Sequence, residues 1–275
     1  MQHGKQATIA LSLSLSGGQG KTLTAYMVGL KVAKLGIPTL LIDGDPQRNL
    51  TDLLGVEIEN EPTLLEVITG KCSIEDAIYP VPDRENLFLV PSDRALVNAQ
   101  HYLASSANCS RVLKKRLEPV MQDFGLIMID SPPQKNHINL TAIGAADVVI
   151  IPAEAVAKGI GSLTETWALL EECRDGDAFD GKLLGVLPFR ARVVGLQLTG
   201  EASTSLKAME GFIGDVLLPS VVESVVYQRA LNQGKLPSEL DASKKELEAP
   251  FDLLLQRLSA YVPGIQTALS EVVPA

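Results

Sequence analysis

The sequence predicts an α/β fold: a doubly wound, mostly parallel sheet with helices on both faces, built as a single domain over residues 1–275. Three observations carry it. Short apolar runs of strand length alternate with longer stretches of helical periodicity, as parallel strands joined by helical crossovers require. The first of those runs passes directly into a glycine-rich turn and a helix. No linker rich in Pro, Ser or Gly and no internal repeat divides the 275 residues, a length that suits one or two domains.

Each element follows from local pattern. In the first strand, Thr8–Leu15, Ile9, Leu11, Leu13 and Leu15 alternate with Ala10, Ser12, Ser14 and Ser16. Alone, that spacing describes a half-exposed antiparallel strand. The turn and helix behind it outweigh this, because small serines can pack against a helix when their hydroxyls bond nearby backbone. A helix over Lys21–Leu35 comes next. Further strands are expected at Thr39–Asp43, Leu87–Val90, Leu126–Asp130, Val148–Pro152, Leu183–Leu187 and Val216–Leu218. Further helices are expected at Leu64–Ile68, Leu96–Leu103, Arg111–Phe124, Ser162–Arg174, Leu198–Ile213, Glu223–Leu231 and Lys244–Tyr261. In a sheet wound this way ligands sit at the carboxyl ends of the strands.

The chemistry starts in LSLSLSGGQGKT, Leu11 to Thr22. Glycines at 17, 18 and 20 allow backbone conformations that turn successive N–H groups onto an anion, and the helix that follows adds its N-terminal dipole. Lys21 would meet the β- and γ-phosphates and the Thr22 hydroxyl would hold Mg²⁺, the division of labour of a P-loop. Ser16, Gly17, Gly18, Gln19, Gly20, Lys21, Thr22 and Leu23 are therefore the candidate nucleotide cradle. The general pattern has a glycine five residues before Gly20; this chain has Leu15 there, with a Gly17-Gly18 pair instead.

That variant resembles the deviant Walker A box of the ParA/MinD ATPases, which reads Lys-Gly-Gly-x-Gly-Lys-Thr and whose first lysine reaches the nucleotide of the partner subunit. Here that position is Ser16. The resemblance extends to LLIDGDPQRNLT, where Asp43-x-Asp45-Pro46-Gln47 matches the A′ box and Asp43 takes the role of orienting the attacking water. It extends to LIMIDSPP, where Asp130 matches the Walker B aspartate that binds the Mg²⁺ shell through water, followed by the switch Ser131-Pro132-Pro133. Ile138–Leu163 and LLGVLPFRAR, Leu183 to Arg192, resemble later family segments, so that matching stretches cover roughly residues 7–234. The end of the latter lies near adenine in relatives, which leaves two readings for Pro188 and Phe189: base contact, or plain strand-end packing.

The resemblance implies an Mg-dependent ATPase with ATP as its nucleotide, catalytic residues Lys21 and Asp43, and an ATP-dependent sandwich homodimer. Two nucleotides buried face to face need cationic partners. Lys158, after the strand Val148–Pro152 and just before a helix start at Gly159–Gly161, is the first candidate to replace the missing lysine. Lys135 and Arg48 come next. The SGGQGKT box most resembles the carboxysome-positioning, McdA-like branch, which implies non-specific binding to nucleoid DNA and a cargo adaptor protein that stimulates hydrolysis. A plasmid or chromosome partition ATPase is the alternative. A small-molecule ligase on the same fold lacks any extra catalytic cluster, and intact Lys21, Thr22, Asp43 and Asp130 count against a non-hydrolysing binding module.

Composition narrows this further. A net charge of −9 argues against a surface that coats nucleic acid throughout. A local basic face is still required for DNA, with Arg190, Arg192, Lys207, Arg229, Lys235, Lys244 and Lys245 as candidates. Cys72, Cys109 and Cys173 are too scattered for disulfides or zinc, and the absence of cysteine between Asp130 and Thr166 excludes the iron–sulfur ligation of the nitrogenase iron protein. The terminal stretch SAYVPGIQTALSEVVPA has no Lys or Arg, unlike a basic membrane-binding helix. A cytoplasmic, nucleoid-associated protein without a membrane partner is expected.

Overall fold

The computed structural model describes residues 6–59, 61–195, 197–262 and 264–272. In chain order its strands are β1 (Thr8–Ser12), β2 (Thr39–Asp43), β3 (Tyr79–Pro80), β4 (Leu87–Val90), β5 (Leu126–Asp130), β6 (Val148–Glu154), β7 (Lys182–Phe189) and the small pair β8 (Val193–Val194) and β9 (Gln197–Leu198). The helices of the first half are α1 (Lys21–Lys34), α2 (Asn49–Leu54), α3 (Leu64–Thr69), α4 (Ala99–Ser105), α5 (Val112–Leu117) and α6 (His137–Ala145). Those of the second half are α7 (Ala157–Asp175), α8 (Gly200–Ile213), α9 (Val225–Asn232), α10 (Pro237–Leu240), α11 (Ala249–Leu258) and α12 (Ile265–Val272).

The sheet has the order β3-β4-β2-β5-β1-β6-β7, parallel throughout except for β3, which runs antiparallel to β4. This is the doubly wound sheet that the sequence predicts. Successive residues of a strand enter opposite layers. Ile9, Leu11, Leu40 and Ile42 join one core with α3 to α7, while Ala10 and Leu41 join the other with α1 and α11. Among the described residues no helix is long and apolar enough to cross a membrane.

Several boundaries differ from expectation. β1 ends at Ser12, not Leu15: Leu13 N–H still donates to Ile150 O at 2.9 Å, but Leu15 N–H turns to the Thr166 hydroxyl. Val216–Leu218 is not a strand, since 3₁₀ geometry runs through Val216 and only an isolated bridge joins Leu217 to Val186. Pro119, which cannot donate to a helix ladder, splits Arg111–Phe124 into α5 and a 3₁₀ turn. The stretch Lys244–Tyr261 opens in 3₁₀ geometry and becomes α-helical at Ala249, with Pro250 in the first turn. α7 begins at Ala157, five residues before the expected Ser162, so Lys158 lies inside its first turn. Both inner serines are fully buried: Ser12 donates to Lys21 O at 3.1 Å, the nearby backbone bond expected, whereas Ser14 bonds the distant Ser162 hydroxyl at 3.0 Å instead.

Candidate functional site

Strand register assembles the site. Ser12 pairs with Asp130 across β1 and β5, and Asp43 pairs with Asp130 across β2 and β5. Asp130 therefore ends beside the strand that feeds the glycine-rich turn and Asp43 one strand further, both at the sheet's carboxyl edge. The turn is left-handed at Gly18 and Gly20, conformations that glycine adopts without penalty. Gly20 is the N-cap of α1, which has no side-chain cap bond and no acidic residue in its first turn. Its leading N–H groups are thus left for an anion.

Lys21, almost wholly buried, extends its Nζ back over the loop and donates to Ser16 O at 3.0 Å. Burial lowers the pKa of its ammonium, against the pull of Asp130 and Asp45. The Thr22 hydroxyl donates to Asp130 Oδ2 at 2.7 Å. The other Asp130 oxygen is buried with no partner among the described residues, and burial, reinforced by the charge of Asp43, pushes this carboxyl up to about 8. Asp43 is fully buried but well bonded. Its Oδ2 accepts from Thr51 N–H and the Thr51 hydroxyl, both at 2.8 Å, and its Oδ1 accepts from Asp45 N–H at 3.1 Å. Burial still outweighs those bonds and moves its carboxyl up to about 6.

These residues fit a nucleotide with its metal. Beyond Gly17 and Gly18 an added Cβ would meet nothing within 4 Å, so the loop opens onto free space. The orphaned Asp130 oxygen is a buried carboxyl oxygen beside a hydroxyl, a costly arrangement for its ionised form unless a cation or water completes it.

Around this centre the candidates divide. Gln19 is fully buried and its amide oxygen accepts from Glu154 N–H at 2.7 Å. Leu23 turns its side chain into the core under α1. Pro188 and Phe189 are buried, and the Phe189 ring lies where a Gly20 Cβ would be, 2.7 Å away. This contact packs the end of β7 against the glycine-rich turn. Of the three stand-in cations, Arg48 pairs with Asp52 at 2.8 Å and Lys135 with Glu172 at 2.5 Å. Lys158 is exposed and has no ion pair among the described residues.

The basic residues proposed for DNA lie on several separate elements. Arg190 and Arg192 follow β7, 3.9 Å from Glu154 and 3.0 Å from Glu223. Lys207 is exposed on α8. Arg229, Lys235 and Lys244 line a cavity of about 320 Å³, shared with Glu239 and Asp241, and Lys245 is exposed beside it in sequence. Two residues with structural roles here escape sequence reasoning. Thr51 anchors Asp43, and Asn139 donates to Pro132 O at 3.0 Å and Gln134 O at 2.6 Å, bracing the segment after Asp130. A threonine eight residues past Asp43 signals nothing without the turn that folds it back.

Comparison with known proteins agrees with this geometry. An AAA domain family model matches residues 6–176. The chain is 45% identical over 241 residues to the maintenance of carboxysome distribution protein A of Gloeothece citriformis, covering 87% of this chain and 92% of that one. It is 42% identical over 247 residues to the protein of the same name from Synechococcus elongatus, covering 89% and 96%. Its structure is similar to that of the Cyanothece McdA–ATP complex, an aspartate-to-alanine variant, with a TM-score of 0.90 and 42% identity over 93% of this chain and 98% of the other. With a P-loop, two buried strand-end aspartates and relatives spanning most of its length, the chain belongs to the McdA branch of the ParA/MinD family of P-loop NTPases.

Proposed function

We propose that this chain is a nucleotide-switched ATPase. Mg-ATP closes two copies face to face, the closed dimer binds nucleoid DNA without sequence preference, and an adaptor on the cargo triggers hydrolysis and release. The names of its relatives point to the carboxysome as cargo. The observation that carries the reading is the half-buried Thr22–Asp130 hydrogen bond beside Lys21 and Asp43, which brings together the residue types that phosphoryl transfer uses.

Bound Mg²⁺ supplies charge neutralisation at the phosphates. The protein's share is positioning. Lys21 meets the β- and γ-phosphate charge, and the loop amides and α1 N-terminus hold the rest. Thr22 and Asp130 would hold the metal. Asp43 orients the attacking water, and a carboxyl raised to about 6 by burial is better matched to accepting a proton than an ordinary aspartate. With serine at position 16, Lys158 of the facing copy is the cation that meets the nucleotide across the dimer. Its exposure and lack of an internal partner favour it over Lys135 and Arg48.

The test is a DNA-binding titration with ATP, with ADP and without nucleotide, at several salt concentrations. Tight binding with ATP alone and a steep salt dependence are expected. Equal binding in all three states would overturn the switch.

A further inference from the structure

Gln19 sits inside the P-loop, yet its side chain is committed elsewhere. Its amide oxygen accepts the N–H of Glu154, the last residue of β6, at 2.7 Å, and the side chain is fully buried. Its amide nitrogen is buried with no partner among the described residues. A polar group so placed carries a desolvation cost that an apolar residue would avoid, and one bond to a strand end is what it gains. The next residue, Gly20, rests on the ring of Phe189, and Phe189 is the register partner of Glu154 at the end of β7. Two consecutive P-loop residues thus hold the ends of β6 and β7.

From Glu154 the path to Lys158 has little slack. Val156 N–H donates to Glu154 O at 2.8 Å, Gly159 N–H donates to Val156 O at 2.9 Å, and a Cβ on Gly159 would run into the Glu154 carbonyl. On the other side Ala155 N–H donates to Phe189 O at 2.8 Å. We propose that Gln19 is a positioning residue, whose amide ties the P-loop to the β6–α7 turn and so sets where Lys158 stands. This rests on the reading of Lys158 as the trans cation and adds the element that places it. The physical basis is contiguity: loop, strand end and first helical turn form one hydrogen-bonded unit.

Gln19→Met tests it, because methionine keeps length and volume and deletes the acceptor. ATP-dependent dimerisation should weaken about tenfold, as loss of one buried hydrogen bond at a positioned contact implies, and should fall by more than the Mg-ADP affinity of the monomer does. Amide hydrogen exchange over residues 154–159 should quicken. Equal losses in dimerisation and nucleotide affinity would make Gln19 a loop-building residue only and overturn the proposal. Lys158→Ala is measured alongside. If it abolishes the dimer while Gln19→Met dimerises as wild type, the strut is wrong. If Lys158→Ala itself dimerises normally, the Lys158 reading fails, and exchange over 154–159 alone then decides: quickened in Gln19→Met it upholds the strut, unchanged it overturns it.

Discussion

The strand-end row of β1, β2 and β5 and the cations of the C-terminal third stand in opposite physical situations. In the row every charged group is buried and its position follows from register: Asp43, Asp130 and Ser12 are neighbours because three parallel strands end together. In the C-terminal third the charges sit on loops and short helices, mostly exposed, and several already face carboxylates of their own chain. Burial makes a charge costly and so informative, whereas a solvated lysine or arginine costs little wherever it lies. Substitutions in the two regions should differ accordingly.

The largest effect is expected at Lys21. Replacing it with alanine removes the ammonium held over the loop by a bond to Ser16 O, and backbone N–H groups alone cannot neutralise β/γ-phosphate charge. Nucleotide binding or hydrolysis should fall below detection in an equilibrium binding and turnover assay. Near-normal ATPase activity would remove the P-loop from the row. Asp43→Ala should act differently, retaining ATP binding while turnover drops by about 10²–10⁴-fold, the usual contribution of a positioned proton acceptor. The variant should then accumulate as an ATP-bound dimer on DNA. Unchanged turnover would leave Asp43 as the anchor of Thr51 and nothing more.

The same contrast explains what was legible in the sequence. Ser12 is out of place in a buried strand by pattern alone, yet its order relative to the glycine turn suffices, because its hydroxyl bonds the nearby backbone at Lys21, whereas the partner of Ser14, Ser162, lies 148 residues away and leaves no local trace. Asp43 and Asp130 were legible because each closes an apolar run. The end of β1, the 3₁₀ stretches at Glu118 and Ala242 and the short α2 were not, since a proline or a single competing hydrogen bond decides such boundaries. The Phe189 ring illustrates a deeper limit: its contact with Gly20 joins residues 169 positions apart and leaves no local trace. Gln19 is the converse case. It was placed in the cradle by position, but its side chain serves the neighbouring strand.

A smaller effect is expected from the exposed region. Reversing Arg190 and Arg192 together to glutamate should weaken DNA binding and lower the slope of log K against log salt by about 2, if each contacts one phosphate, because counterion release scales with phosphate contacts. Dimerisation should be unaffected. Their present partners, Glu154 and Glu223, stand at side chains that are 52% and 68% exposed on the arginine side, so breaking those pairs costs little fold stability. An unaltered slope would move the DNA face to the cavity lined by Arg229, Lys235 and Lys244.

The smallest effect is on stability, and it isolates burial from function. Burial lifts the Asp130 carboxyl from an ordinary 3.8 to about 8, so the folded, nucleotide- and magnesium-free protein binds a proton there that the unfolded chain has lost. The sign follows from linkage. The penalty for this carboxylate is full above about pH 8, shrinks as pH falls through that value, and is gone below the unfolded value of 3.8. Asp130→Asn keeps an acceptor for the Thr22 hydroxyl and removes the charge. It should therefore unfold at a higher temperature than the parent protein, by the equivalent of about 1–3 kcal/mol above pH 8, with a gap that closes on acidification. The gain is moderated because Lys21 loses the nearest charge that favours its ammonium. Adding Mg-ATP should reverse the ranking, since ligand stabilisation by mass action is available only to the protein that holds the metal. A pH-independent gap, or an asparagine variant that Mg-ATP stabilises as well as the parent, would show that Asp130 is a structural group and not the metal-facing end of the row.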